Sequence, residues 1–258
     1  MRAVSVHEDA IAVTSLLWQT NAVALRAGGE AMLVDSPYFP EELELLDEVL
    51  AQAGFEPNAL LATHGDFDHL LGRAAFPDLS LGVAESTMRR IRARPGEAQR
   101  ELRDADAANY VERPRPLSLG SAQALPVPGS LELGDRELEL ITAEGHTPDG
   151  MAVHAPWMGL LCSGDYLSPV EIPWIGEGGS VADYRNTLAR LAPVLEGCET
   201  VVPGHGRPLT GAAALRILDE DSDYLDALER GDQRPSLPAG RDSARQRAIH
   251  AENLARLG

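Results

Sequence analysis

Thr63-His64-Gly65-Asp66-Phe67-Asp68-His69 is the stretch that most constrains this fold. The apolar run ahead of it, Ala59 to Ala62, reads as a buried strand. The stretch therefore begins where a strand ends and a loop starts. His64 and His69 offer imidazole, and Asp66 and Asp68 offer carboxylate; each binds divalent ions once deprotonated. In a turn at a strand end, adjacent and alternate side chains can converge on a pair of ions. A merely solvated loop does not require two of each within six residues.

The rest of the chain alternates short apolar runs with amphipathic segments. Val4–Val6, Ile11–Thr14, Asn21–Leu25 and Ala31–Val34 read as an antiparallel meander, with a hairpin turn at Gly28-Gly29. Pro40–Ala53 reads as a helix, with Pro40 suiting its first turn and Gly54 its end. Leu79–Ala84 is a strand, Glu85–Arg94 a basic helix, and Glu97–Val111 a helix poor in large apolar residues, expected as a peripheral cover. Arg113–Gly134 is expected as loop with one or two short strands. Arg136–Thr142 alternates as a strand does. Met151–His154 and Met158–Cys162 are strands around Pro156. Val181–Leu195 is a helix capped by Ser180, Thr200–Val202 a strand, and Leu209–Arg230 and Asp242–Leu257 helices. Residues 1–230 are expected to form the catalytic domain, and 231–258 a linker and helix packing on it.

At 258 residues the chain can bury the core of one large α/β domain. Its formal charge is −18, from 40 acidic residues against 22 basic ones, and every basic side chain is arginine. That balance argues against a nucleic-acid partner. Met1–Val13 lacks the basic-then-apolar order of a signal peptide, and no run approaches the length of a membrane span. No membrane partner and a cytoplasmic location are therefore expected. Cys162 and Cys198 lie in or beside apolar segments and read as buried free thiols.

Three more polar turns follow apolar strands: Gly145-His146-Thr147-Pro148, Ser163-Gly164-Asp165 and Pro203-Gly204-His205-Gly206. Singly each is weak. Together with the first loop they supply four histidines and three aspartates, the inventory for two ions sharing a carboxylate. In a layered α/β protein, strand ends on one edge are where distant segments meet.

The order and spacing of these motifs, across about Ala12 to Leu209, resembles the metallo-β-lactamase superfamily. The resemblance implies a four-layer αββα sandwich with two metal ions at one edge of the sheets. It implies that His64, Asp66 and His146 hold the first ion, that Asp68, His69 and His205 hold the second, and that Asp165 bridges them with a water or hydroxide between. Zinc is the ion expected from the family. One departure stands out: the family usually has histidine at the place of Asp66. Three carboxylates and one hydroxide make a two-ion cluster formally neutral, which weakens the ions as Lewis acids and shifts the first site toward Mn²⁺ or Fe²⁺.

Such a site hydrolyses an ester, thioester, lactone or amide bond of a small molecule, with Asp68 ligating and orienting the nucleophile. Lactam-hydrolysing relatives that use a lysine near the metals have no counterpart in a lysine-free chain. Tyr38, Phe67, Arg73, Tyr166, Ile172 and Trp174 are the candidate substrate-binding residues, and His250 and Asn253 are expected on an exposed helix face. Two other classes stay open. One is a dioxygenase-like redox enzyme with a single iron on His64, His146 and Asp165. The other is a non-catalytic metal-binding protein. A homodimer through the C-terminal helices is also open.

Overall fold

An antiparallel meander opens the chain: β1 (Arg2–His7), β2 (Ala10–Thr14), β3 (Asn21–Ala27) and β4 (Glu30–Asp35). Described here from a computed structural model that covers residues 1–257, it continues through α1 (Pro40–Gln52), β5 (Ala59–Ala62), the short α2 (Gly72–Ala75), β6 (Leu81–Ala84), α3 (Glu85–Ala93), α4 (Glu97–Ala108) and β7 (Ala122–Leu125). These seven strands form one sheet in chain order, antiparallel from β1 to β4 and parallel from β4 to β7. The parallel pairs need crossovers, which the helices supply.

The second half adds β8 (Gly129–Leu133), β9 (Arg136–Thr142), β10 (Met151–Ala155), β11 (Leu160–Gly164), α5 (Val181–Leu195), β12 (Thr200–Pro203), α6 (Gly211–Glu229) and α7 (Ala244–Leu257). Its five strands are ordered β12-β11-β10-β9-β8.

Three apolar layers explain the sandwich. Because alternate side chains face opposite sides of a strand, Ala22 and Ala24 of β3 and Leu60 and Ala62 of β5 pack outward with Leu43, Leu46 and Leu50 of α1. Their neighbours Val23, Leu25 and Leu61 pack inward against Leu138, Leu140, Val153 and Leu160 of the second sheet. Leu161 and Val201 face the other way, onto Leu188 and Leu191 of α5 and Ile217 and Leu225 of α6. The central strands are buried on both faces. That is why they read as continuous apolar runs.

Two expectations are corrected here. α4 is not merely peripheral: Ala98 and Leu102 enter the first outer core, and Asp106 is buried beneath Tyr38. The His250–Asn253 face of α7 is not exposed either; the two residues are 5% and 0% accessible. Asn253 accepts the Ile175 N–H (2.8 Å) and donates to the Pro173 carbonyl (2.7 Å), and His250 meets the Tyr224 hydroxyl and the Asp232 carbonyl. α7 offers few apolar residues, so its inward face looks polar in sequence. It is a splint bonded to the 172–175 loop. Arg113–Gly134 holds β7 and β8, and both cysteines are buried and free. Among the described residues no helix is long and apolar enough to cross a membrane.

Candidate metal centre

Every turn singled out in the sequence ends at the same edge of the sandwich. β5 delivers the His64–His69 loop, with Phe67–His69 closed into a 3-10 turn. The turn after β9 delivers His146, the end of β11 delivers Asp165, and the end of β12 delivers His205. β11 and β12 are parallel neighbours, so their ends lie side by side. At Gly204 an added Cβ would lie 2.1 Å from Asp165 Oδ1. Only glycine lets the two turns approach this closely.

The donor atoms sort into overlapping groups, His64–Asp66–His146, Asp68–His69–His205 and His64–His69–Asp165, with the atoms of each group within 4.8 Å of one another. Asp66 Oδ2 lies 3.4 Å from His146 Nε2 and 3.7 Å from His64 Nε2. Asp68 Oδ2 lies 3.5 Å from His205 Nε2 and 3.8 Å from His69 Nε2. Asp165 stands between the groups: Oδ2 is 3.4 Å from His146 Nε2 and 3.3 Å from His205 Nε2, and Oδ1 is 3.1 Å from His69 Nε2. Donors ~2.0–2.2 Å from a tetrahedral ion lie ~3.3–3.6 Å apart, and the separations here, from 3.1 to 3.8 Å, bracket that range.

The outward nitrogens are all spoken for. His146 Nδ1 donates to the Trp174 carbonyl (3.0 Å) and His205 Nδ1 to the Trp18 carbonyl (3.1 Å). His69 Nδ1 faces Asp35 Oδ2 (3.0 Å), and His64 Nδ1 faces Thr63 Oγ1 (3.1 Å), which itself donates to Asp35. Fixing Nδ1–H in this way leaves each Nε2 lone pair pointing inward. The inward atoms His64 Nε2, His69 Nε2, His146 Nε2 and Asp165 Oδ1 are buried and have no hydrogen-bond partner. Buried polar atoms left unsatisfied are costly, and their convergence on one space fits divalent cations. Burial opposes ionisation of Asp66, yet the facing imidazoles of His146 and His64 outweigh it and hold the carboxyl well below its usual range. Burial likewise opposes charge on His146 and His205, but nearby carboxylates outweigh it, pushing His146 up to about 9 and His205 up to about 10.

Of the candidate substrate residues, Phe67 and Trp174 line the cavity of about 470 Å³ that opens over the donors. The other four do not. Tyr38 is fully buried, its hydroxyl donating to Asp106 (2.8 Å). Arg73 donates to the carbonyls of Leu79 and Pro77. Tyr166 accepts the His146 backbone N–H (3.0 Å), which makes it a positioning residue, and Ile172 packs in the second outer core. Aromatic and arginine side chains near a loop are recruited to packing and carbonyl anchoring as readily as to a cavity wall.

Sequence reasoning missed several contributors. Asp35 ends β4 with a left-handed φ of 58°, and its oxygens accept from Thr63 N (2.7 Å) and Thr63 Oγ1 (2.9 Å) while orienting His69. Strain of this kind in a non-glycine residue persists where surrounding structure over-determines it. A signal for it exists in the sequence, since Asp35 follows an apolar strand just as Asp165 does. Arg90 lies between Asp66 and Asp149, and nothing in the run Arg89, Arg90, Arg92, Arg94 singles it out. Trp18 and Glu171 line the cavity from loops with no motif, and Arg245 and Glu252 from α7.

A two-sheet sandwich with helices on both outer faces and a histidine–aspartate donor cluster at one edge defines a class of metal-dependent hydrolases. The metallo-beta-lactamase superfamily model matches residues 16–205, and the chain belongs to that family. It is 28% identical over 197 residues to a hydroxyacylglutathione hydrolase of Anaeromyxobacter dehalogenans (strain 2CP-C), covering 76% of this chain. It spans 65% of that relative's length, just under two thirds. An acyl-coenzyme A thioesterase of Gallus gallus is 28% identical over 165 residues, with 59% of this chain and 58% of that protein covered. Among solved structures, a metallo-beta-lactamase family protein of Thermus thermophilus superposes with a TM-score of 0.71 at 21% identity, covering 98% of this chain and 93% of that one.

Proposed function

We propose that the protein is a two-ion hydrolase that cleaves an ester, thioester, lactone or amide bond of a small molecule. The observation that carries this reading is the set of buried, partnerless His Nε2 and Asp165 Oδ1 atoms converging beneath an open cavity. His64, Asp66 and His146 would hold one ion, Asp68, His69 and His205 the other, and Asp165 both. When bound, such ions ionise a water at neutral pH and polarise the attacked carbonyl. The chain's own part is to orient. Asp68, on the cavity wall, accepts a hydrogen bond from the attacking water and aims it. Phe67, Trp18 and Trp174 give the acyl portion an apolar wall. That one relative is a hydroxyacylglutathione hydrolase and another an acyl-coenzyme A thioesterase supports the same broad bond class.

The charge of the cavity narrows the leaving group. Glu97, Glu101, Glu171, Glu177 and Glu252 line it. Three arginines face these five glutamates: Arg90 is committed to Asp66 and Asp149, Arg245 is paired with Glu171 (2.9 Å) while stacked on Trp18, and Arg256 adds a third. A polyanionic carrier meets repulsion from such a rim. Neutral or cationic substrates are therefore favoured.

The test pairs metal quantification with a panel of neutral, cationic and anionic esters, thioesters and lactones, with Asp68→Ala as control. About two ions per chain and hydrolysis lost in Asp68→Ala is the expected result. Less than about one ion per chain with no gain on reconstitution would reject it. A single iron with oxygen uptake and no hydrolysis would move the protein to the dioxygenase class.

A further inference from the structure

Asp66 does not face the donor cluster alone. Its two oxygens are divided. Oδ2 turns toward His146 and His64, while Oδ1 accepts from Arg90 Nη1 at 2.7 Å. The same Nη1 donates to Asp149 Oδ1 at 3.0 Å, and Arg90 Nη2 lies 3.6 Å from Glu97. Asp149 is fully inside the protein, and its second oxygen accepts the Gly65 N–H at 2.9 Å. The guanidinium is itself mostly buried. A buried guanidinium held between two carboxylates is kept only where its pairing is well made.

We propose that Arg90 is a positioning and charge-compensating residue that makes Asp66 stand in for the histidine usual at that place in the family. With Oδ1 occupied, Asp66 offers the ion a single atom, Oδ2, as an imidazole offers a single nitrogen. Arg90 also sets one positive charge against the extra negative one. Asp149 shares that cation, and the Gly65 amide that meets its second oxygen is neutral, so the compensation of Asp66 is partial. The formal neutrality expected from Asp66, Asp68, Asp165 and one hydroxide takes no account of Arg90. With it, Asp66 presents less free charge to the first half-site, and the expected drift toward Mn²⁺ or Fe²⁺ is partly offset. This inference rests on the two-ion reading above.

A double-mutant cycle tests it without using activity. Wild type, Arg90→Gln, Asp66→His and the double variant are loaded with equimolar Zn²⁺ and Mn²⁺, dialysed, and analysed for metal content, with folding checked by circular dichroism. Unmasking the carboxylate should move the Mn²⁺-to-Zn²⁺ ratio at least about fivefold toward manganese in Arg90→Gln. In the Asp66→His background the same substitution should move it less than about twofold, because no carboxylate remains to be masked. Equal shifts in both backgrounds, or none in either, would overturn the proposal while leaving the two-ion reading intact. A wild type that takes up neither ion would sink both. Should Arg90→Gln not fold, Arg90→Lys and Arg90→Met make the same comparison: the charged variant should keep the wild-type ratio and the uncharged one should not.

Discussion

The two halves of the donor cluster use similar ligands but are backed by different parts of the molecule. Asp68, His69 and His205 are held by strand ends. Asp35 at the end of β4 orients His69, and Asn21 at the start of β3 bonds the Pro203 and Gly206 carbonyls on either side of His205. His64 follows β5 closely and shares the Asp35 brace through Thr63, but Asp66 and His146 are backed from further away. Arg90 comes from α3, and the Trp174 carbonyl that fixes His146 sits in a loop splinted by α7. One half is thus tied mainly to the sheet, and the other, apart from His64, to helices and loops. The second arrangement is easier to retune and easier to break.

The comparison collapses at the shared residue, where the largest effect is expected. Asp165→Ala should deplete both ions and lower hydrolysis by more than about a thousandfold, as metal analysis and rate assays would register. Asp35→Ala should act mainly on the half that holds His69, with a lesser effect on His64 through Thr63. Losing the partner of His69 should cost about 10–100-fold in affinity for one of two ions, resolved as a split in a calorimetric titration. It also leaves the Thr63 amide and hydroxyl unsatisfied, so unfolding should become easier by about 1–3 kcal/mol. Asn253→Ala probes the other half through its splint. A loss of about 1–3 kcal/mol in denaturant unfolding is expected, with a smaller weakening of the His146 ion than Asp35→Ala causes at its own site. If the two variants weakened the same ion most, the division between halves would be wrong. The smallest effect belongs to the rim. Glu101→Gln should raise kcat/KM for an anionic substrate a few-fold and leave a neutral one within about twofold, since a half-exposed charge is well screened.

How much of this can be read from the chain depends on range. The layers are legible because apolar periodicity is local, and the four donor turns because each follows an apolar strand. Asp35 carries the same signal but has no motif around it to draw notice. Arg90 and Asp149 are not legible: each is one charged residue among several nearby, and only the packing of α3 on the His64–His69 loop selects them. α7 misleads for a related reason. Gln246, His250 and Asn253 are buried polar residues whose partners are backbone groups and the Tyr224 hydroxyl, and a helix facing such polar groups has the composition of one facing water.

That helix begins at Ala244, well after the family match ends at residue 205, yet it forms one side of the cavity. Part of the cavity wall is therefore written in a separate stretch of polypeptide from the donor turns. A graft that exchanges the Arg245–Ile249–Glu252 edge for that of another member, keeping Gln246 and Asn253, should reshape which molecules enter without touching any residue of the donor cluster.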